Sequence, residues 1–454
     1  GCLAHASYMI ASNGEAAVVD PQRDVDMYIE EAKANGFTIK YVLETHMHAD
    51  FVSGHLELAK RSGAKIILGP RAGAEFDYIG AKDGEVFQLG DVEILVLETP
   101  GHTPESVTYL VNDKSDPNET PVALTGDTLF FGEVGRPDLV ASKGFTARQM
   151  AEMLYDSITN KIKKIEPATK VFPAHGAGSL CGKKIADKDS STIGEELATN
   201  YALQDMDEES FINIVTENLP EVPQYFPRAA TLNRQNLESL DEFPRPAALQ
   251  PADFSGKMKE TNTVVVDVRE NEKYAAGHVP GSYSIPLSGQ YAQWAGMFIA
   301  PETKILFVTS DEEEVDEATM RLARVGLHNA IGYLADGIYG WHQAGFETGT
   351  FAQTTGAEVR EALDNYRFVD VRRPSELEGG VIESAENIPL DKIPERYEAL
   401  QAETRPILVI CRSGNRSAIA GSLLKQFGVE NVVNLSGGMT AWEKAGYPTT
   451  QPTA

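Results

Sequence analysis

Thiols, cations and long apolar runs are all scarce in this sequence, and each scarcity removes a class of protein. Only Cys2, Cys181 and Cys411 occur in 454 residues. An odd number spread over the whole length argues against a disulfide scaffold and for a reducing compartment, so the chain reads as cytoplasmic. Each thiol has to be weighed singly. Lys and Arg number 40 against 67 Asp and Glu, a formal net charge of -27. Such a field repels phosphate backbones and anionic lipid, so no nucleic acid and no membrane surface is expected as a partner. The acidity is dispersed, apart from Asp311-Glu312-Glu313-Glu314, and reads mainly as solubility. No run approaches the roughly 18 apolar residues of a membrane helix, and the start lacks a basic segment ahead of an apolar one. The chain enters residues 6–10 almost at once after Gly1, which leaves room for a short strand ahead of it.

What is present is a chain 42% hydrophobic and too long for one ordinary core, so about three domains are expected. Histidine is sparse at nine, yet His46, His48 and His55 fall with Asp50 inside one stretch, THMHADFVSGH at 45–55. It follows the apolar run Tyr41-Val42-Leu43. Imidazole nitrogens and a carboxylate oxygen suit a borderline first-row metal, and a turn after a strand can aim several of them at one point. The competing reading is a polar loop with surface histidines. So dense a cluster in so histidine-poor a chain favours the metal.

The pattern around this loop is α/β. Apolar residues 8–10 and 16–19 flank Ser12-Asn13-Gly14 as a hairpin. A helix is expected over 26–33, strands over 39–43 and 65–68, a helix over 55–61 and a strand pair over 86–97. The metal loop then sits at the C-terminal end of a strand, where ligands gather in α/β layers. Three more polar clusters end strands: 99–104 with His102, 125–128 with Asp127, and 172–176 with His175. Any one alone would more often be structural. Beyond Lys183 helices are expected over 193–203 and 207–219, then a proline-punctuated stretch over 220–227.

The order of these clusters carries a resemblance. Residues 1–245 resemble the metallo-β-lactamase superfamily and, within it, the persulfide dioxygenase (sulfur dioxygenase) branch. The likeness rests on THMHADFVSGH, PGHTPES at 100–106, TGDTLFFGEVGRPDL at 125–139 and PAHGAGSLCGK at 173–183. It implies an αββα sandwich. The usual hydrolases of the fold carry HxHxDH and bind two zinc ions, the second through the His after the Asp; that position is Phe51 here, which points to a mononuclear site. The branch implies one Fe(II) per chain held by His46, His102 and Asp127. Two imidazoles and a carboxylate leave positions open for a thiolate-type substrate and dioxygen, whereas a closed four-ligand zinc site leaves none. His48, Asp50 and His175 would orient the ligands, with hydrogen-bonded core residues as the competing reading. His55 reads as a helix start, and Arg136 with Asp138 as a pair shaping the loop. Cys181 either handles substrate sulfur or packs as a small hydrophobe. Tyr201, Arg228 and Asn233 are further candidates for a polar substrate such as a thiol peptide.

The second half repeats itself. Residues 264–269 recur at 367–372, an offset of 103; 305–308 recur at 407–410, an offset of 102; Gly337 and Trp341 recur as Gly438 and Trp442, an offset of 101. Breaks near 243–246 and 350–355 delimit domains 1–245, 246–352 and 353–454. Each unit resembles a rhodanese domain, through DVRE with GHVPGSYSIPL in the middle copy, and DVRR, AENIPL and CRSGNRSAIAGSLL at 411–424 in the last. Cys411 ends a strand and precedes a loop that opens a helix, so N–H groups converge on it and favour sulfur anions. Arg412 and Arg416 add positive charge for sulfite or thiosulfate. The middle copy has Thr309 in place of Cys411, followed by acidic residues, and reads as an inactive spacer or docking surface. The last copy lacks the His of the middle copy's Gly277-His278, having Gly379-Gly380-Val381.

The resemblance thus implies an α/β chain: a persulfide dioxygenase, then an inactive and an active rhodanese. A low-molecular-weight persulfide and O2 would give sulfite, and Cys411 would convert sulfite to thiosulfate or run in the reverse order. A homo-oligomer is expected. The competing functions are a zinc thioester hydrolase of the glyoxalase II type and a sulfur-carrier module whose rhodanese domains only bind partners. The thiol that carries the persulfide is not legible.

Overall fold

The computed structural model describes residues 2–116, 118–139 and 144–452, so Gly1 lies outside it. The chain divides into two compact units, Gly1–Phe243 with Met320–Leu327, and Pro244–Thr319 with His328–Ala454.

In the first unit, strands β1 (Tyr8–Ser12), β2 (Glu15–Val19), β3 (Thr38–Leu43), β4 (Lys65–Leu68) and β5 (Ile79–Gly80) form one sheet in that order. Strands β6 (Val86–Leu89), β7 (Val92–Glu98), β8 (Val107–Asp113), β9 (Val122–Gly126), β10 (Lys170–Pro173) and β11 (Ser191–Thr192) form a second, in the order β11-β10-β9-β8-β7-β6. Period-two alternation decides which face goes where. On β2, Ala17 and Val19 face the second sheet and join Ile94, Val96, Val107 and Leu124 in the core between the sheets. Ala16 and Val18 face outward and are covered by helices α1 (Asp26–Ala34) and α2 (His55–Ser62), through Tyr28, Ala32 and Leu58. The outer face of the second sheet is covered by α3 (Ala147–Asn160), α4 (Ile193–Thr199) and α5 (Glu208–Thr216), with Leu154, Ile158, Ile193 and Phe211 buried. A short helix α6 (Phe226–Leu232) follows. The layers are therefore αββα.

Two departures from the sequence expectation have physical causes. Helix α3 is not among the elements expected from the sequence, although Thr146 and Gln149 form a capping box and Met150, Ala151, Leu154 and Ile158 repeat at helical spacing. The single helix expected over 193–203 is broken at Asn200. Its buried amide bonds Glu196 and the Glu133 carbonyl, and its Oδ1 accepts from Ala202 N, so the chain continues as a 3₁₀ turn, Tyr201–Leu203.

The second unit holds the repeat as two parallel five-stranded sheets. The first comprises β12 (Ala247–Leu249), β13 (Thr263–Asp267), β14 (Ser282–Ser284), β15 (Lys304–Val308) and β16 (Ala330–Leu334), ordered β12-β16-β15-β13-β14. The second comprises β17 (Ala352–Thr354), β18 (Arg367–Asp370), β19 (Glu386–Asn387), β20 (Ile407–Ile410) and β21 (Val432–Leu435), ordered β17-β21-β20-β18-β19. The topology is identical. Asp267 pairs with Val308 and Asp370 with Ile410, which puts Thr309 and Cys411 at the same place, one residue beyond the central strand. The two copies also touch: Asn271 Nδ2 donates to Asn415 Oδ1 at 2.9 Å, and Ser284 N to Ser422 Oγ at 3.0 Å. Among the described residues, no helix is long and apolar enough to cross a membrane.

The helix Asn415–Gln426 that follows the Cys411 loop lies close against Phe351, where a Cβ at Gly421 would come 2.1 Å from the ring. Ala favours a helix over Gly by about 1 kcal/mol, but overpacking costs about 1–3 kcal/mol. Gly421→Ala is therefore expected to destabilise the second unit, read as a lowered midpoint of its transition in urea. An unchanged or raised midpoint would show that Phe351 yields freely.

Candidate functional site

Strand ends bring the polar clusters of the first unit together. Asp20 leaves β2 with φ 49°, a left-handed conformation that Asp tolerates. Its Oδ1 accepts from Thr45 N at 2.7 Å and its Oδ2 from Thr45 Oγ1 at 2.8 Å, which fixes the start of the histidine loop just beyond β3. Thr45 Oγ1 donates to Asp20, so at 3.0 Å it accepts from His46 Nδ1. That places the His46 proton on Nδ1 and leaves Nε2 with a lone pair. His102 repeats the device: its Nδ1 lies 3.0 Å from Arg136 O, a carbonyl that can only accept. Asp127 is tied at Oδ1 to His175 Nδ1, 2.7 Å away.

Each of the three therefore has its outer atom anchored and its inner atom turned toward the others. Asp127 Oδ2 lies 3.6 Å from His46 Nε2 and 3.4 Å from His102 Nε2. His46 Nε2 and Asp127 Oδ2 are buried without a hydrogen-bond partner among the described residues. Bonds of about 2.1 Å to one ion span separations of this size, and buried polar atoms left facing one another are otherwise costly. The charge states agree. Burial holds His46 and His102 below the usual imidazole range, with His48 also lowering His46, so both rings are neutral. Burial alone would raise Asp127, but His175 and His46 outweigh it and hold the carboxyl well below its ordinary range. The residues present fit a metal ion.

A second ring of groups surrounds this set. His175 Nε2 lies 2.8 Å from Asp50 Oδ2, so the imidazole bridges two carboxylates. Burial opposes its charge, yet Asp127 and Asp50 push its pKa up to about 10. His48 Nε2 lies 3.2 Å from Asp20 Oδ1 and 3.3 Å from Glu44 Oε2. Burial opposes protonation there too, and Asp20 and Glu44 raise its pKa well above the usual value. His48, Asp50 and His175 bring ligand atoms within 4.8 Å of one another and could themselves hold an ion. Both His175 nitrogens, however, are engaged by carboxylates, and buried Phe51 offers no donor beside them. His55 starts α2 and faces Glu44, 3.2 Å from Oε1.

Several supports were not legible in the sequence. Asn233 bonds the carbonyls of His48 and Phe51, at 2.8 and 2.7 Å, and accepts from Ser53 N at 2.8 Å. Its buried amide therefore clamps the histidine loop, a role the sequence does not show. Tyr201 is spent on Glu133. Arg136 pairs with Asp138 through two bonds of 2.7 and 2.6 Å, as expected, and also bonds Pro220 O. Gly135 lets this loop close on the site, because a Cβ there would come 2.0 Å from Asp127 O and 2.8 Å from His102 Nδ1. His5 was missed altogether. It pairs by a β-bridge with His175, lies tilted against Phe51 with ring centroids 4.1 Å apart, and has no hydrogen-bond partner for either nitrogen among the described residues.

Cys181 is buried, and its sulfur lies within 4.8 Å of ligand atoms of Asp127 and His175. Burial, with Asp50 and Asp127, raises its pKa well above the usual thiol value, so the group is a neutral thiol. Cys411 is also buried, and its sulfur accepts from Gly414 N at 3.1 Å and Ser417 Oγ at 3.3 Å. Arg412 and Arg416 flank it, each paired with a glutamate: Arg412 with Glu443 at 2.7 Å and Arg416 with Glu376 at 2.6 Å. In the middle copy, Ser310 N donates to Glu314 Oε2 at 2.6 Å and Lys273 Nζ to Ser310 Oγ at 2.9 Å. No thiol stands there.

Comparison with known proteins agrees with this arrangement. The metallo-beta-lactamase superfamily profile matches residues 1–175, and the rhodanese-like domain profile matches 250–344 and 355–445. The mitochondrial persulfide dioxygenase ETHE1 of Bos taurus is 30% identical over 217 residues, covering 46% of this chain and 75% of that protein. The cytoplasmic hydroxyacylglutathione hydrolase of Arabidopsis thaliana is 34% identical over 173 residues, covering 37% of this chain and 62% of its own length. A metallo-beta-lactamase crystal structure from Staphylococcus aureus superposes with a TM-score of 0.65 at 29% identity, covering 73% of this chain and 96% of that one. The chain belongs to the ETHE1 persulfide dioxygenase family of the metallo-β-lactamase superfamily, as a fusion with two rhodanese-like domains.

Proposed function

We propose that the chain is a non-heme Fe(II) persulfide dioxygenase coupled to a rhodanese sulfurtransferase. The first unit would turn RSSH, O2 and water into RSH, sulfite and two protons. Cys411 would then take sulfane sulfur from a second RSSH and hand it to sulfite, giving thiosulfate. The observation that carries this reading is the three-atom donor set of His46, His102 and Asp127; Phe51, buried where the two-zinc hydrolases of the fold carry a histidine, supports a single ion. A ferrous ion held by these three residues would supply redox chemistry between dioxygen and a sulfur atom.

The chain's own residues do the rest. Thr45 and the Arg136 carbonyl hold both imidazoles in the ligating tautomer. His175, cationic between Asp50 and Asp127, keeps Asp127 ionised. Cys181 presents a neutral thiol beside Asp127, a group that can hydrogen-bond a substrate sulfur without competing as a thiolate. At the other site, Gly414 N and Ser417 Oγ stabilise negative charge on the Cys411 sulfur.

A thioester hydrolase is the second reading, favoured by the Arabidopsis relative. Oxygen uptake separates the two: iron-loaded protein should consume O2 with a persulfide and leave acyl-glutathione intact, and the reverse result would establish the hydrolase.

His102→Ala should remove one of three ligands. Bound iron, measured by mass spectrometry, should fall at least tenfold and oxygen uptake about a hundredfold or more, on the scale seen when even outer partners of a metal site are lost. Cys411→Ser should leave oxygen uptake in place while sulfite accumulates where thiosulfate had formed. An unchanged product ratio would assign the rhodanese domains a binding role only.

A further inference from the structure

Both cations of the Cys411 loop are committed to carboxylates of the same chain. Arg416 makes a two-pronged pair with Glu376, Nη1 to Oε2 and Nη2 to Oε1 at 2.6 Å each, with side chains 19% and 32% exposed. Arg412 pairs with Glu443 at 2.7 and 2.9 Å and is 51% exposed. An exposed pair of the second kind opens readily, whereas a bidentate, partly buried one is held in place. Beneath them Asp370 and Arg372 form a buried pair, and Arg372 Nη1 also reaches the Glu376 carbonyl at 3.3 Å. Each cation of the loop is therefore matched by a carboxylate, and Glu376 also accepts from Arg373 N at 3.0 Å.

The middle copy supports the pairing of these two positions. Glu376 corresponds to Lys273 at the offset of 103, and Arg416 to Glu314 at the offset of 102. The signs are exchanged, yet the groups still converge, here through Ser310. The two positions thus face each other across the loop in both copies. In the last copy the cation sits on the helix that follows the sulfur.

We infer that Glu376 sets the anion selectivity of the Cys411 site, holding Arg416 in an internal pair so that thiosulfate leaves readily and re-enters poorly. This rests on the sulfurtransferase reading above. In that reaction Cys411-S-S⁻ meets SO3²⁻; a bond forms between the terminal sulfur and the sulfite sulfur as the bond to Cys411 breaks, and its electron pair stays on the Cys411 thiolate. Thiosulfate departs as a dianion, with no outside oxidant or reductant. A free Arg416 would retain that dianion. The pair with Glu376 removes this hold, while a persulfide donor without the second charge depends on it far less.

The test is Glu376→Gln in the full iron-loaded chain, assayed with thiosulfate as donor and cyanide as acceptor, and with a persulfide donor and sulfite. The ratio of KM for thiosulfate to KM for the persulfide should fall about fivefold, the size expected for one partly exposed charge, with kcat for thiosulfate changing less. The thiosulfate KM should also rise more steeply with salt in the variant than in the wild type, and Glu376→Asp should return the ratio toward the wild-type value. An unchanged or raised ratio, or a loss of kcat with both donors together with a lowered melting midpoint, would overturn the inference and leave Glu376 as a brace for the loop. If the wild type transfers no sulfur and matches Cys411→Ser, the sulfurtransferase reading itself fails and this inference falls with it.

Discussion

The first unit depends on where two protons sit. A bond to one histidine nitrogen fixes the tautomer and orientation that present the other to a metal, and here Nδ1 of His46 and of His102 are both held by oxygen atoms that must accept. Thr45 can accept because its own proton is committed to Asp20, and Asp20 is placed by the unusual φ at the end of β2. The Arg136 carbonyl is placed because its side chain is tied to Asp138 and Pro220, and because Gly135 lets the loop approach. Two neutral imidazoles and one ionised carboxylate then converge from the ends of β3, β7 and β9. Movement at any of these anchors rotates a lone pair away from the shared point.

The second unit shows one scaffold carrying opposite charge choices. Strand order and the buried Asp-Arg pair after the second strand of each sheet are common to both copies. The copies diverge at the loop beyond the central strand, where one has a thiol that accepts from Gly414 N and Ser417 Oγ and the other has Thr309 and a run of carboxylates. A thiolate or persulfide in that acidic loop would face repulsion in place of donors. The middle copy keeps the same core without a thiol at this position, and it contacts its neighbour through Asn271 and Ser284.

Much of this was legible in the sequence because it rests on local pattern. The hairpin around Asn13-Gly14, the strand-end histidines and the offsets near 102 all survive translation into three dimensions. The residues that were not legible act across distance. Asn233 lies 182 residues from Phe51, and no motif marks it as the clamp of the histidine loop. His5 sits in a short N-terminal segment whose partner is His175. Pairs such as Glu376 with Arg416 join a 3₁₀ turn to a helix 40 residues on, where spacing carries no signal. The Cys181 thiol was legible as near the site, but its protonation follows from burial and two carboxylates that only the fold supplies.

The central claim is a single metal held by His46, His102 and Asp127, and the most direct test is the metal itself. X-ray absorption on anaerobically prepared protein, with metal content counted per chain, should give one iron with two imidazole nitrogens among light-atom neighbours and no metal–metal distance. Two metal ions per chain with a short metal–metal vector would contradict the account, because it would require His48, Asp50 and His175 to act as ligands despite Phe51.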